Sequence, residues 1–81
     1  MVTDGKRESQ AVAAQIRAER AAGRMTIDEL SQASGVPRQT LVRYLKGSRD
    51  IPIPTFYAIA EGLGVAADVL LDRAQHRDAQ S

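Results

Sequence analysis

The 81-residue chain contains no cysteine and no tryptophan. Without thiols it can form neither disulfides nor thiolate metal sites, and such a composition suits a reducing cytosol. Aromatic residues make up only 4% of the chain. Tyr44 and Tyr57, which could be offered as stacking platforms for single-stranded bases, both fall on apolar helix faces and read as core. No apolar run approaches the length needed to cross a bilayer, and the polar start MVTDGKRESQ lacks the apolar stretch of a signal peptide. A soluble cytoplasmic protein with no membrane partner is expected.

Catalytic equipment is equally sparse. The one histidine, His76, lies in a polar C-terminal stretch, so a Ser-His-Asp arrangement would lack a rigid base. Gly35, Gly47, Gly62 and Gly64 each fall at or near a helix end instead of in a phosphate-cradling loop, and the carboxylates show no metal-ligand spacing. These absences point away from an enzyme and from any metal or cofactor. With 43% hydrophobic residues the chain can bury one modest core, which leaves no room for a second domain and demands tight helix packing.

What the chain does have is the run TIDELSQASGVPRQTLVRYLKG, Thr26 to Gly47, whose pattern predicts two short helices hinged at Ser34-Gly35-Val36-Pro37. Thr26 stands before the first apolar position and Glu29 three residues on, a reciprocal capping pair that contributes about 1 kcal/mol to a helix start. Ile27 and Leu30 form the inner face of this helix, and Gly35 can take positive φ at its end without a Cβ clash. Pro37 suits the first turn of the next helix because its missing N–H would have no partner there, while Val36 before it is biased to extended backbone. In that helix Leu41, Tyr44 and Leu45 recur at the spacing of a buried stripe. Lys46, whose charge suits the negative end of the helix dipole, and Gly47 close it. The polar side carries Arg38, Gln39, Thr40 and Arg43. One face holds the fold and the other can read base edges, which is the design of a helix-turn-helix reader of DNA.

Net charge is only +1, too little by itself to argue for a polyanionic partner. Distribution says more. Between Glu29 and Asp50 there is no acid, while Arg38, Arg43, Lys46 and Arg49 all fall there; from Asp50 to Asp72 there are four acids and no lysine or arginine. Apolar periodicity adds a helix from Glu8 to Ala22, burying Val12, Ala13 and Ile16 and ending at Gly23. A loop at Ser48 to Pro52 leads to a helix that starts near Ile53 or Pro54 and buries Phe56, Ile59, Ala60 and Leu63. A last helix spans Ala66 to Arg73 with Val69 and Leu70 inward. Residues 1–7 and 74–81 read as flexible ends around a domain at 8–73. The chain shows no internal repeat, low-complexity segment or strand-period alternation.

Together these segments resemble the Cro and phage-repressor type (XRE-like) of helix-turn-helix domain. The likeness extends beyond the motif, over residues 10–72: IRAERAAGRMT (Ile16 to Thr26) resembles the family's first helix, and IPTFYAIAEGLGVAADVLL (Ile53 to Leu71) its fourth and fifth. It implies an all-α, compact five-helix, lambda-repressor-like domain that binds double-stranded DNA with its third helix in the major groove, most simply as a transcriptional repressor. Arg38 is then placed to donate two bonds to a guanine edge and Gln39 to pair with adenine, each contact discriminating by roughly 1–3 kcal/mol. Thr40 would meet a thymine methyl or a phosphate, and Arg43 a flanking base or a phosphate. By the same resemblance Thr26, Lys46, Ser48 and Arg49 hold the sugar-phosphate backbone. One module contacts little DNA, so a homodimer on an inverted repeat is implied. Its surface would lie near the loop before the fourth helix and the start of the fifth, where Ile51, Val65 and Val69 are either dimer contacts or core.

Three departures separate the chain from the family pattern. Ile27 replaces the usual Gln at the start of the second helix, which removes a phosphate-contacting side chain. Leu45 replaces a Glu that the family pairs with the residue at Arg20, so Arg20 either approaches phosphate or is solvated. Pro37 replaces the usual Ser or Thr cap and leaves early amide donors of the third helix without a side-chain acceptor. The same fold also serves protein-interaction adaptors and antitoxins that act through a protein partner. Against that alternative, Arg38, Gln39 and Arg43 occupy positions that an adaptor has no evident need to keep polar and basic.

Overall fold

The computed structural model describes residues 5–79, whose regular secondary structure is helical throughout. They are α1 (Gly5–Ala22), α2 (Ile27–Ser34), α3 (Arg38–Leu45), α4 (Ile53–Leu63) and α5 (Ala67–Ala79). The start of α2 is the capping box read from the sequence. The Glu29 N–H donates to the Thr26 hydroxyl at 3.0 Å, and the Thr26 N–H donates to Glu29 Oε1 at 2.8 Å. At the other end Gly35 sits at φ 76°, donating its N–H to the Ser31 carbonyl, a left-handed stop that a side chain would strain. The hinge is then pinned twice: the Ser31 hydroxyl donates to the Val36 carbonyl at 2.6 Å, and the Val36 N–H donates to the Ser34 hydroxyl at 3.2 Å. Pro37 is the N-cap of α3 and gives its amides no side-chain acceptor; Gly47, at φ 72°, turns the chain away after it.

The fully buried centre takes one aliphatic side chain from each helix: Ile16, Leu30, Leu41, Ile59 and Leu70. Each such burial contributes about 1.5–3 kcal/mol against exposure, so every helix is held by its own anchor in the shared core. Tyr44 and Leu45 join that core from α3, and Val36 joins it from the hinge. The most extensive helix contacts are α1 on α5 and α2 on α4, with α3 laid across α1 and α2.

Several sequence expectations shift. Helix α1 starts at Gly5 instead of Glu8 and ends, as expected, at Ala22; beyond it the residue in the left-handed region is Arg24, at φ 54°. Val69 is exposed, because the inward positions of α5 are Leu70 and Ala74, one turn apart, and Val69 lies off that line. Tyr57 is 60% exposed instead of buried; it meets Phe56 edge-on, at 6.4 Å between ring centroids. The expected flexible stretch from residue 74 is helical as far as Ala79. Its Ala74 is buried, and the Arg77 guanidinium donates to Gln15 Oε1 at 3.1 Å; these contacts with α1 supply what the polar sequence alone does not. Residues 1–4 and 80–81 lie outside the described residues.

Candidate nucleic-acid interface

Because Leu41, Tyr44 and Leu45 are all drawn into the core, the opposite face of α3 is forced outward. That face carries Gln39, Val42, Arg43 and Lys46, one turn apart in pairs. Gln39, Arg43 and Lys46 are exposed, whereas Val42 is half-buried and shows the stripe an apolar edge. Val42 was missed by a reading that looked for polar groups, although its spacing from Arg38 and Lys46 would have found it. Thr40 sits half-buried at one flank of the stripe. Arg38 stands at the other, where its Nε meets Asp28 Oδ1 at 2.7 Å across the turn, both side chains well exposed.

The C-terminal end of α3 is tied down. Arg17 on α1 donates from Nη1 to the Leu45 carbonyl, and the Ser48 hydroxyl donates to the Arg43 carbonyl at 3.0 Å. Ser48 therefore meets an outside acceptor only by releasing its cap. Thr26 differs: its hydroxyl oxygen accepts from Glu29, which leaves the hydroxyl proton to donate elsewhere. Arg43, Lys46 and Arg49 are exposed and make no ion pair among the described residues. Asp50, which ends the acid-free run, accepts from the Ser9 hydroxyl of α1 at 2.5 Å.

Arg20 is neither solvated nor extended toward a ligand. Its Nη1 donates to the Met25 carbonyl at 2.8 Å, bracing the turn between α1 and α2, and its Nε is buried without a partner. With Leu45 in the core there is no carboxylate there to receive that nitrogen. His76 lies on α5, exposed, with Nδ1 3.0 Å from the Asp72 carbonyl. Among the described residues there is no cluster of metal-ligating side chains, and no single helix is long and apolar enough to cross a membrane.

The five-helix order and the hinged pair α2–α3 are those of a known family: a helix-turn-helix family model matches residues 16–70. The chain belongs to the XRE/Cro-like helix-turn-helix family. As a member of that family it is a DNA-binding transcription regulator, with double-stranded DNA as its partner. Two crystal structures of the clp gene regulator ClgR from Corynebacterium glutamicum are similar to it, each at 25% identity. One has a TM-score of 0.79 and covers 85% of this chain and 90% of that one; the other has a TM-score of 0.85 and covers 90% and 78%. No curated protein matches the chain.

Proposed function

We propose that the protein is a sequence-specific transcriptional repressor that inserts α3 into the major groove and binds an operator as a homodimer. The outward stripe of α3 carries this reading: Gln39, Arg43 and Lys46 are exposed, with half-buried Val42 beside them, because the helix spends its other face on the core. Arg38 and Gln39 read base edges, Val42 and Thr40 offer methyl groups to thymine, and Arg43 reaches a flanking base or a phosphate. Thr26, Lys46, Ser48 and Arg49 hold the backbone, fixing register without reading sequence. Arg20 leaves this set, since the turn it braces already occupies it. Dimerisation is supported by Ile53, Tyr57, Val69 and Leu71, large apolar side chains exposed on α4 and α5. Ile51 and Val65 are partly buried against the core and contribute at most an edge. Such a repressor would act by covering a promoter.

The same region supports one other reading. Glu8, Asp50 and Asp68 rim an apolar groove lined by Ile53, Phe56, Tyr57 and Leu71, a surface that suits a protein partner of an adaptor or antitoxin.

The test is titration of Arg38→Ala, Gln39→Ala and Lys46→Ala against a selected operator and a scrambled duplex at two salt concentrations. Arg38→Ala and Gln39→Ala should weaken operator binding by roughly 5- to 150-fold each while sparing the scrambled duplex. Lys46→Ala should weaken both alike and lower the salt slope by about one. Equal losses on both duplexes for all three variants would show that α3 does not read bases. Absence of any duplex binding, with retention of a protein partner in a pull-down, would favour the adaptor.

A further inference from the structure

Arg38 is the first residue of α3, directly after Pro37, whose ring fixes the backbone at φ −56°. Its side chain is long, and on a DNA surface phosphates compete with base edges for any mobile cation. In this structure that side chain is engaged: its Nε meets Asp28 Oδ1 at 2.7 Å. Asp28 stands on rigid ground, between the two partners of the capping box and two residues before the fully buried Leu30. The contact thus joins the first turn of α2 to the first residue of α3, the two ends that the hinge sets side by side.

We infer that Asp28 is a positioning residue that determines specificity: by holding Arg38 at Nε it aims the guanidinium at a guanine edge and keeps it from the phosphates. The inference rests on the reading of α3 proposed above. Its chemistry follows from which nitrogen is held. A bidentate bond to guanine O6 and N7 needs two N–H groups that point the same way, which the terminal Nη1 and Nη2 supply. A carboxylate on Nε leaves that pair presented end-on and biases the side chain away from the rotations that would carry it to the backbone. The carboxylate also places a negative charge beside the reading position, which repels a phosphate and has no such conflict with a neutral base edge. The two side chains are 61% and 74% exposed, so water screens the pair and its contribution to stability is small. What it controls is orientation.

Asp28→Ala removes both the acceptor and the charge; Asp28→Asn removes the charge alone and should fall between Ala and wild type. The full-length variants are titrated against the selected operator, the scrambled duplex and an operator series substituted at each guanine, beside Arg38→Ala and the double variant. Asp28→Ala is expected to weaken operator binding and strengthen scrambled-duplex binding, lowering their ratio by about tenfold, within the range of one bidentate base contact. The relaxed preference should appear at a single guanine, the one that Arg38→Ala also relaxes, and Asp28→Ala should add nothing once Arg38 is gone. Thermal unfolding serves as the fold control. Unchanged base preference in Asp28→Ala while Arg38→Ala loses it would overturn the role of Asp28 and leave the reading of α3 intact. An Arg38→Ala variant that keeps full discrimination would overturn both.

Discussion

Arg24 closes α1 at φ 54°, the one positive-φ residue other than glycine among those described. A Cβ in that region meets the following carbonyl and costs about 1–2 kcal/mol. The turn holds it there nonetheless: the Arg24 N–H donates to the Ala21 carbonyl and the Met25 N–H to the Arg20 carbonyl, each at 3.0 Å, while Arg20 reaches over to the Met25 oxygen. Replacing Arg24 by glycine relieves the Cβ clash and costs some unfolded-chain entropy in return. The net expectation for Arg24→Gly is a gain of up to about 1 kcal/mol in urea denaturation. A loss would show that the arginine side chain contributes more than its backbone costs. The sequence places this helix end at Ala22, where the structure has it. A glycine at 23 marks where a chain is able to turn, while the hydrogen bonds decide that Arg24 is the residue that takes the left-handed conformation.

Among the elements, α4 approaches α2 through a glycine near its C-terminal end, where the sequence places it. Gly62 lies inside α4, and a Cβ there would come within 3.1 Å of the Ser34 N and 3.2 Å of its Cβ. Alanine would gain about 1 kcal/mol of helix propensity. Against that, the last turn of α2 cannot retreat, since Gly35 and the Ser31 and Ser34 hydrogen bonds fix it. Overpacking of this kind costs typically 1–3 kcal/mol. Gly62→Ala should therefore destabilise the fold by roughly 1 kcal/mol net in thermal unfolding, and a stabilised variant would show that α4 can slide along α2. Capping and hinge chemistry were legible because they act within a few residues; the closeness of α4 to α2 was not, because it depends on which faces meet.

At the scale of the whole molecule, α1 and α5 are clamped by a polar network. Glu19, 13% exposed, accepts from Arg73 and from Gln15, each at 2.8 Å, while Gln15 accepts in turn from Arg77. The Arg73 hydrogen bond, aided by Gln15 and by the charge of Arg73, holds the Glu19 carboxyl below its ordinary value of 4.5, with partial burial opposing. A depressed folded value means that this stabilisation is fully present above the ordinary glutamate range and is lost as pH falls through the lowered value. Acidification below about pH 4.5 should weaken the wild type more than Glu19→Gln, which has no such proton to take up. At neutral pH Glu19→Gln should cost roughly 1 kcal/mol, since Arg73 is half-exposed and well screened. Parallel stability curves for the two proteins across the acid range, followed by circular dichroism, would show that the network does not couple folding to that proton.

Local rules carried the sequence a long way. The capping box at Thr26, the left-handed stop at Gly35, the hinge before Pro37 and the buried stripe of Leu41, Tyr44 and Leu45 each rest on groups within four residues of one another. Through-space partners were beyond that reach. Only the packed helices decided that Arg38 meets Asp28, that Arg17 caps α3 from α1, that Arg20 turns to Met25 once Leu45 has taken the core, and that Tyr57 faces out while Ala74 faces in. A side chain's partner is set by where another helix arrives, and that arrival is fixed by the shared burial of Ile16, Leu30, Leu41, Ile59 and Leu70, a condition on five separated segments at once.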